Sequence, residues 1–349
     1  MLQELLLVGP SDVRLSAYEE APLQANEVRA QAVLSGISHG TELNIDRGTS
    51  PFHSKRFDKE LRMFVEDADG QAYPRNLGYE WVGRVTEIGS QVTGFKAGDL
   101  VHLPSPHRQT QTFVAGKQTL LGEVWPLPAG FDPDRAVMLA LAGVALQTVH
   151  DAHVKIGDRI AIFGLGTIGL LAVQLARLNG AGWIEAIDPI PTRRKLAEAF
   201  GADRTLDPNS CNVAYEIKTT SPQRGVDTAI ELSGNYGALN DAIRSVCVGG
   251  TVVAAGFYPG GGTALHLGEE WHHNRVTMVS SMGVWGCPHR DHPAWNRARI
   301  HETAAGLLER GLLRTDGLIT HRFPFECAAD AYRLIDQRPE DVVKVVLTY

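Results

Sequence analysis

Arg159-Ile-Ala-Ile-Phe-Gly-Leu-Gly-Thr-Ile-Gly-Leu-Leu-Ala-Val-Gln-Leu-Ala-Arg-Leu-Asn-Gly180 decides the fold. Arg159–Phe163 reads as a short buried strand. Ile168, Leu171, Leu175 and Leu178 then recur at steps of three and four, placing one apolar face of a helix against a sheet, and Asn179-Gly180 supplies the stop. Between strand and helix stand Gly164, Leu165, Gly166, Thr167, Ile168 and Gly169, a G-x-G-x-x-G turn. Such a turn lets backbone approach a pyrophosphate held at the positive end of the helix. Asp188 follows about 20 residues later at the tip of the next strand, where a carboxylate accepts both ribose hydroxyls and repels a 2′-phosphate. Dinucleotide binding with a preference for NAD(H) is expected. Arg193 and Arg194 lie close enough to leave NADP(H) open. The uncharged stretch Ile160–Ala176 is short for a membrane span and has three glycines in its first ten residues.

Outward from this unit, apolar runs alternate with helical patterns, the signature of a parallel sheet. Strands are expected at Trp183–Asp188, Arg204–Asp207, Val226–Glu231, Thr251–Gly256 and Val276–Ser281, and helices at Arg193–Phe200 and Gly237–Val246. With Arg159–Phe163 they complete a six-stranded, doubly wound α/β domain. The first 125 residues differ: short alternating segments such as Glu27–Leu34 and Trp81–Ile88, punctuated by Gly89-Ser90, Gly94 and Gly98-Asp99, suggest an irregular β-barrel. Val342–Tyr349 is strand-like and expected to return to that first domain. His53–Tyr73 is a charged excursion with no functional signal.

A length of 349 residues suits two domains. Net charge is −7 and no basic run occurs, so neither nucleic acid nor a membrane is expected as a partner, and a small-molecule substrate is. The 36 glycines exceed the usual ~7 % and fit backbone-approach loops. Cys211, Cys247, Cys287 and Cys327 form no C-x-x-C pair. Free thiols and an N-terminus without a signal-peptide pattern point to the cytoplasm.

Gly78-Tyr79-Glu80-x-x-Gly83, Val92-x-x-Phe95-x-x-Gly98-Asp99-x-Val101 and the Gly164 turn together resemble the medium-chain dehydrogenase/reductase family of alcohol dehydrogenases and quinone reductases, over nearly the whole chain. The resemblance implies a GroES-like β-barrel catalytic domain (1–135 and 290–349) around a Rossmann domain (136–289), with the active site in the cleft between them. Zinc-dependent members carry a cysteine, a histidine and a second cysteine where this chain has Ser38, Tyr79 and Leu141. A hydroxyl, a phenol and an alkyl group do not replace thiolate and imidazole, so no catalytic zinc and no metal ligands are expected. Leu103–Lys117, where the family's structural zinc lobe lies, holds no cysteine. The isolated His39, His102 and His107 lack metal-ligand spacing. Ser35-Gly-Ile-Ser-His-Gly-Thr-Glu42, Gly256-Phe-Tyr258 and Glu270-Trp-His-His-Asn-Arg275 look like a zinc-lacking branch named after bacteriochlorophyllide dehydrogenase; that pigment substrate is not carried over.

The resemblance further implies pyrophosphate contacts from His39 and Lys344, a nicotinamide pocket near Ser280 and Ser281, and a homodimer through the edge strand Val276–Ser281. Without zinc, the oxyanion left by hydride transfer needs another partner. Tyr79 is the expected acid, Ser38 an added hydrogen bond and Glu80 a tuning carboxylate. His272, His273 and Arg275 form a second cluster before the sixth strand, with either a base or a loop role. Three functions compete: NAD(H)-dependent interconversion of a secondary alcohol, such as a sugar, polyol or bulky hydroxy compound, and its carbonyl; NAD(P)H-dependent enone or quinone C=C reduction; and a non-catalytic dinucleotide sensor.

Overall fold

A computed structural model describes residues 1–67, 73–119, 122–124, 126–283 and 293–349. The chain divides into two compact units, Met1–Ala140 with Ile319–Tyr349, and Leu141–Leu318. The second unit holds a six-stranded parallel sheet, in the order Arg204–Leu206, Trp183–Ile187, Arg159–Phe163, Val226–Glu231, Val246–Ala254 and Thr277–Ser280. Numbered along the chain this is 3-2-1-4-5-6, with the order reversing between the strands that end at Phe163 and Glu231. Ala161, Phe163, Ile187, Ala229 and Val252 pack under Ile217, Leu239 and Ile243 of the covering helices.

Within this sheet and its covering helices, one helix and one strand boundary depart most from the sequence reading. Val213–Thr220 is a helix that the sequence hides, because Val213, Ile217, Thr219 and Thr220 are β-branched and disfavour helix locally; the Asn212 side chain caps it by accepting from the Tyr215 amide at 3.1 Å. The fifth strand begins at Val246 rather than Thr251. Its register slips between Val226/Val246 and Thr228/Thr251, at Gly249 with φ +74°.

In the first unit, Ile319–Pro324, Lys344–Thr348, Glu27–Ile37, Glu80–Ile88 and Leu100–Leu103 lie side by side in that order, and Thr110–Val114 also pairs with Glu27–Ile37. The closing strand returns to this unit and pairs antiparallel with Glu27–Ile37, setting Val345 opposite Ile37. Glu27–Ile37 and Glu80–Ile88 run longer than their alternation suggests, which brings Gly36 opposite Glu80. The charged excursion forms the hairpin Lys55–Asp58 and Met63–Glu66.

The first boundary lies after Ala140, not 135. The expected break at 289/290 lies outside the described residues. Residues 293–318 belong to the second unit, where Gln174 binds the Arg314 backbone both ways, accepting its N–H at 2.8 Å and donating to its carbonyl at 3.1 Å.

Candidate active site

Strand pairing in the first unit brings Ser38, Tyr79, Glu80 and Lys344 into one neighbourhood. Glu27–Ile37 ends just before Ser38, and Glu80–Ile88 begins just after Tyr79. The Ser38 hydroxyl and the Tyr79 phenol are hydrogen-bonded to each other. Burial, then the negative charge of Glu80, pushes the Tyr79 phenol well above its ordinary value of 10.0.

Glu80 is wholly buried. Its Oε2 accepts from the Lys344 ammonium at 2.5 Å, and Lys344 also donates to the Ile37 carbonyl at 2.9 Å. Its Oε1 is buried without a hydrogen-bond partner. Burial pushes the Glu80 carboxyl up to about 7, although Lys344 pulls the other way. Gly36 makes room for the pair: a Cβ there would lie 2.6 Å from Glu80 Oε2 and 2.8 Å from Lys344 Cε. Lys344, expected at a pyrophosphate, is 1 % exposed and engaged within its own unit.

A second buried group supports Ser38. The carboxylate of Glu42, in the first turn of helix Thr41–Asp46, accepts the Ser38 amide at 2.7 Å, His107 Nε2 lies 3.1 Å away, and the Tyr332 hydroxyl donates to it. His107 Nδ1 lies 2.7 Å from Ser35 Oγ, which is 2.9 Å from the Tyr349 hydroxyl. Burial raises the Glu42 carboxyl, but its partners, chiefly His107, outweigh this and hold it below the usual range. His107 also packs under Gly78, whose φ is +100° and whose absent Cβ would lie 2.7 Å from the ring. Sequence reasoning weighed His107 only as a scattered histidine and missed Glu42; the one available signal was an acid four residues after Ser38. Half-buried His39 precedes the same helix.

In the second unit each fingerprint glycine has a separate cause. Gly164 has φ +87° and a Cβ there would lie 2.6 Å from the Ser233 amide nitrogen; a Cβ on Gly169 would collide with the Gly164 carbonyl. At Gly166, which caps helix Thr167–Leu178, a Cβ would meet nothing within 4 Å. Open space above a helix N-terminus suits an anionic ligand. Leu165 and Thr167 are buried, and Ile168 is half-buried. Asp188 accepts the amides of Leu165 and Ile190 at 2.8 Å each, so the second-strand carboxylate is joined to the glycine turn. Arg193 Nη1 lies 3.9 Å from Asp188 Oδ2, and Arg194 donates to the Asp188 carbonyl at 2.7 Å while pairing with Asp207 at 3.2 Å. Ser280 is exposed; Ser281 is buried, and its hydroxyl donates to Thr148 at 3.3 Å. His272 and His273 stack edge to face, both exposed, on the short helix Glu270–His273.

These residues suit a dinucleotide, with an open glycine cradle, a helix N-terminus and a ribose-side carboxylate. They do not suit zinc: Ser38 and Tyr79 are neutral hydroxyls bonded to each other, Leu141 is a buried alkyl group, and Glu80 is held by Lys344.

Residues 167–296 match the family model described as zinc-binding dehydrogenase, and residues 55–131 match the alcohol dehydrogenase GroES-like domain. D-guloside 3-dehydrogenase of Escherichia coli is 34 % identical, with 100 % of each chain covered. L-threonine 3-dehydrogenase of Pyrococcus horikoshii is 27 % identical, covering 75 % of this chain and 79 % of its own. Among solved structures, a zinc-binding dehydrogenase of Sinorhizobium meliloti bound to NADP has a TM-score of 0.80 at 22 % identity, covering 100 % of this chain and 99 % of its own. The chain therefore belongs to the medium-chain, zinc-type alcohol dehydrogenase-like family of NAD(P)-dependent oxidoreductases acting on CH-OH groups.

Proposed function

We propose that the protein is a zinc-independent, NAD(H)-dependent dehydrogenase that interconverts a secondary hydroxyl of a sugar, polyol or glycoside and its carbonyl. The observation that carries this reading is the Ser38–Tyr79 hydroxyl pair beside the buried Glu80–Lys344 ion pair. Two hydroxyls that share one hydrogen bond leave a second proton to donate. A substrate oxygen at Tyr79 can take that bond, and a phenol raised by burial stays protonated at neutral pH and meets a developing oxyanion as a donor. The nicotinamide, when bound, supplies or accepts the hydride. Glu80, whose ionisation falls near 7, is the acid of this cluster that changes charge near neutrality. The D-guloside 3-dehydrogenase relative supports a sugar hydroxyl.

NAD(H) is favoured because the Asp188 carboxylate ends the second strand beside the glycine turn. A lower KM for NADPH than for NADH overturns this preference. We further propose a homodimer paired through the edge strand Thr277–Ser280 and a cytoplasmic setting, which the free thiols of Cys211, Cys247 and Cys327 suit; sedimentation as a monomer at micromolar concentration contradicts the dimer. Among the described residues, no helix is long and apolar enough to cross a membrane.

Tyr79→Phe tests the chemistry. Turnover of a panel of glycosides, polyols and their ketones should fall about 10²-fold or more, the usual worth of a positioned acid, with NADH affinity unchanged. Turnover within threefold of the parent reduces Tyr79 to a packing residue.

A further inference from the structure

Glu231 closes the fourth strand of the parallel sheet, beside the point where strand order reverses. It is wholly buried, yet its carboxylate gathers donors from two loops. Oε1 accepts the Ser233 amide at 2.7 Å and the Ser233 hydroxyl; Oε2 accepts the Gly234 amide at 3.2 Å and the Tyr258 hydroxyl, which comes from the loop after the fifth strand. Ser233 Oγ in turn accepts the Asn235 amide at 3.1 Å, and Asn235 caps the next helix by accepting from Gly237 at 2.8 Å and Ala238 at 3.1 Å.

The packing around these bonds is backbone on backbone. Gly164, the first glycine of the fingerprint, rests on Ser233 so closely that a Cβ would lie 2.6 Å from its amide nitrogen. A Cβ on Gly234 would lie 2.6 Å from the Phe257 carbonyl, and one on Gly256 would lie 2.9 Å from Glu231 Oε2. One carboxylate thus ties the loops after the fourth and fifth strands together and presents Ser233 as the surface against which the glycine turn is set. In open parallel sheets, ligands bind outside the carboxyl ends of the strands, where their order reverses. The hydrogen bonds to the Glu231 carboxylate come from the two loops, and in those loops Ser233 and Phe257 are exposed.

We propose that Glu231 is a positioning residue for the dinucleotide: it fixes Ser233 and Gly234 behind Gly164 and so sets the shape of the pyrophosphate and ribose cradle. Its four donors match the acceptor capacity of a carboxylate. A glutamine in its place accepts through one oxygen and brings two N–H donors of its own. The proposal depends on dinucleotide binding by this unit and is independent of the substrate.

The test is a fluorescence titration of NADH into Glu231→Gln, with Glu185→Gln as the control. Glu185 is another buried carboxylate of the same sheet, held by Trp183 at 2.9 Å and lying 3.9 Å from Arg159 and from Arg204. Glu231→Gln should raise the Kd for NADH about tenfold, the worth of a charge-assisted hydrogen bond, and raise the KM for the cofactor in parallel. Its kcat at saturating cofactor should stay within about threefold, because the loss lies in binding. Glu185→Gln should lower thermal stability without moving Kd. Unchanged NADH affinity in folded Glu231→Gln, or equal weakening in both variants, overturns the proposal. If Glu231→Gln does not fold, Tyr258→Phe, which removes one of the four donors, should raise Kd severalfold; an unchanged Kd there overturns it equally. Absence of NADH and NADPH binding by the parent protein overturns the cofactor reading, and the role of Glu231 with it.

Discussion

Gly36 carries no Cβ because two charged side chains occupy its place. Gly36→Ala forces Glu80 and Lys344 apart and should cost about 1–3 kcal/mol, the range of an overpacked core site, read from urea unfolding. The pair also has a pH signature. The Glu80 carboxyl rises from 4.5 to about 7 in the folded chain. Between these values the folded chain holds a proton that the unfolded chain releases. The contribution to stability is therefore fully present below about pH 4.5 and lost as pH rises through about 7. Urea unfolding across that window should show this falling slope in the parent and a flatter one in Glu80→Gln; equal slopes contradict the buried, raised carboxyl. From sequence, Glu80 and Lys344 were each visible, but their pairing was not. They stand on strands that flank Glu27–Ile37 and each pair antiparallel with it, 264 residues apart along the chain, and no local pattern encodes such a partner.

The strand-turn-helix that opens the second unit was legible almost residue for residue, because its signals are local: an apolar run, three glycines at fixed spacing and a helical apolar face. The three glycines nevertheless act differently, and substitution separates them. Gly169→Ala should destabilise the unit, since its Cβ meets the Gly164 carbonyl of the preceding turn. Gly166→Ala should leave stability nearly unchanged, since its Cβ enters open space, while weakening NADH binding about tenfold or more, as expected when backbone approach to a pyrophosphate is blocked. Thermal unfolding and NADH titration of both variants check this pair of outcomes; intact NADH affinity in Gly166→Ala contradicts the cradle. Helix Val213–Thr220 escaped the sequence because tertiary packing of Val213, Ala214 and Ile217 overrides the low helix propensity of its β-branched residues. The Tyr332–Glu42–His107–Ser35–Tyr349 cluster escaped for another reason: its members come from four segments that meet only in the folded first unit.

At the scale of the whole molecule, the two units divide the work. The second carries the glycine turn and Asp188, proposed to hold the dinucleotide, and the first carries the polar cluster of Ser38, Tyr79, Glu80 and Lys344. A ligand that binds only the folded state stabilises it, by about 2.7 kcal/mol at a hundredfold excess over Kd. Saturating NADH should therefore raise the unfolding temperature, and NADPH should do so less at equal concentration if Asp188 discriminates as proposed. The glycine turn was legible as a nicotinamide-dinucleotide signal, and Ser38, Tyr79 and Leu141 were legible as residues unsuited to metal ligation, which is why the proposed catalytic cluster was sought among hydroxyls. The substrate lay beyond the sequence, because the fold fixes where chemistry happens and leaves the recognised molecule to side chains that vary freely.

The most direct measurement is turnover by protein stripped with a chelator and checked by metal analysis, with NAD and a panel of glycosides and polyols, before and after zinc is added back. We predict NADH formation that chelation does not diminish and zinc does not raise. Activity lost on chelation and restored by one equivalent of zinc contradicts a hydroxyl-based, zinc-independent dehydrogenase.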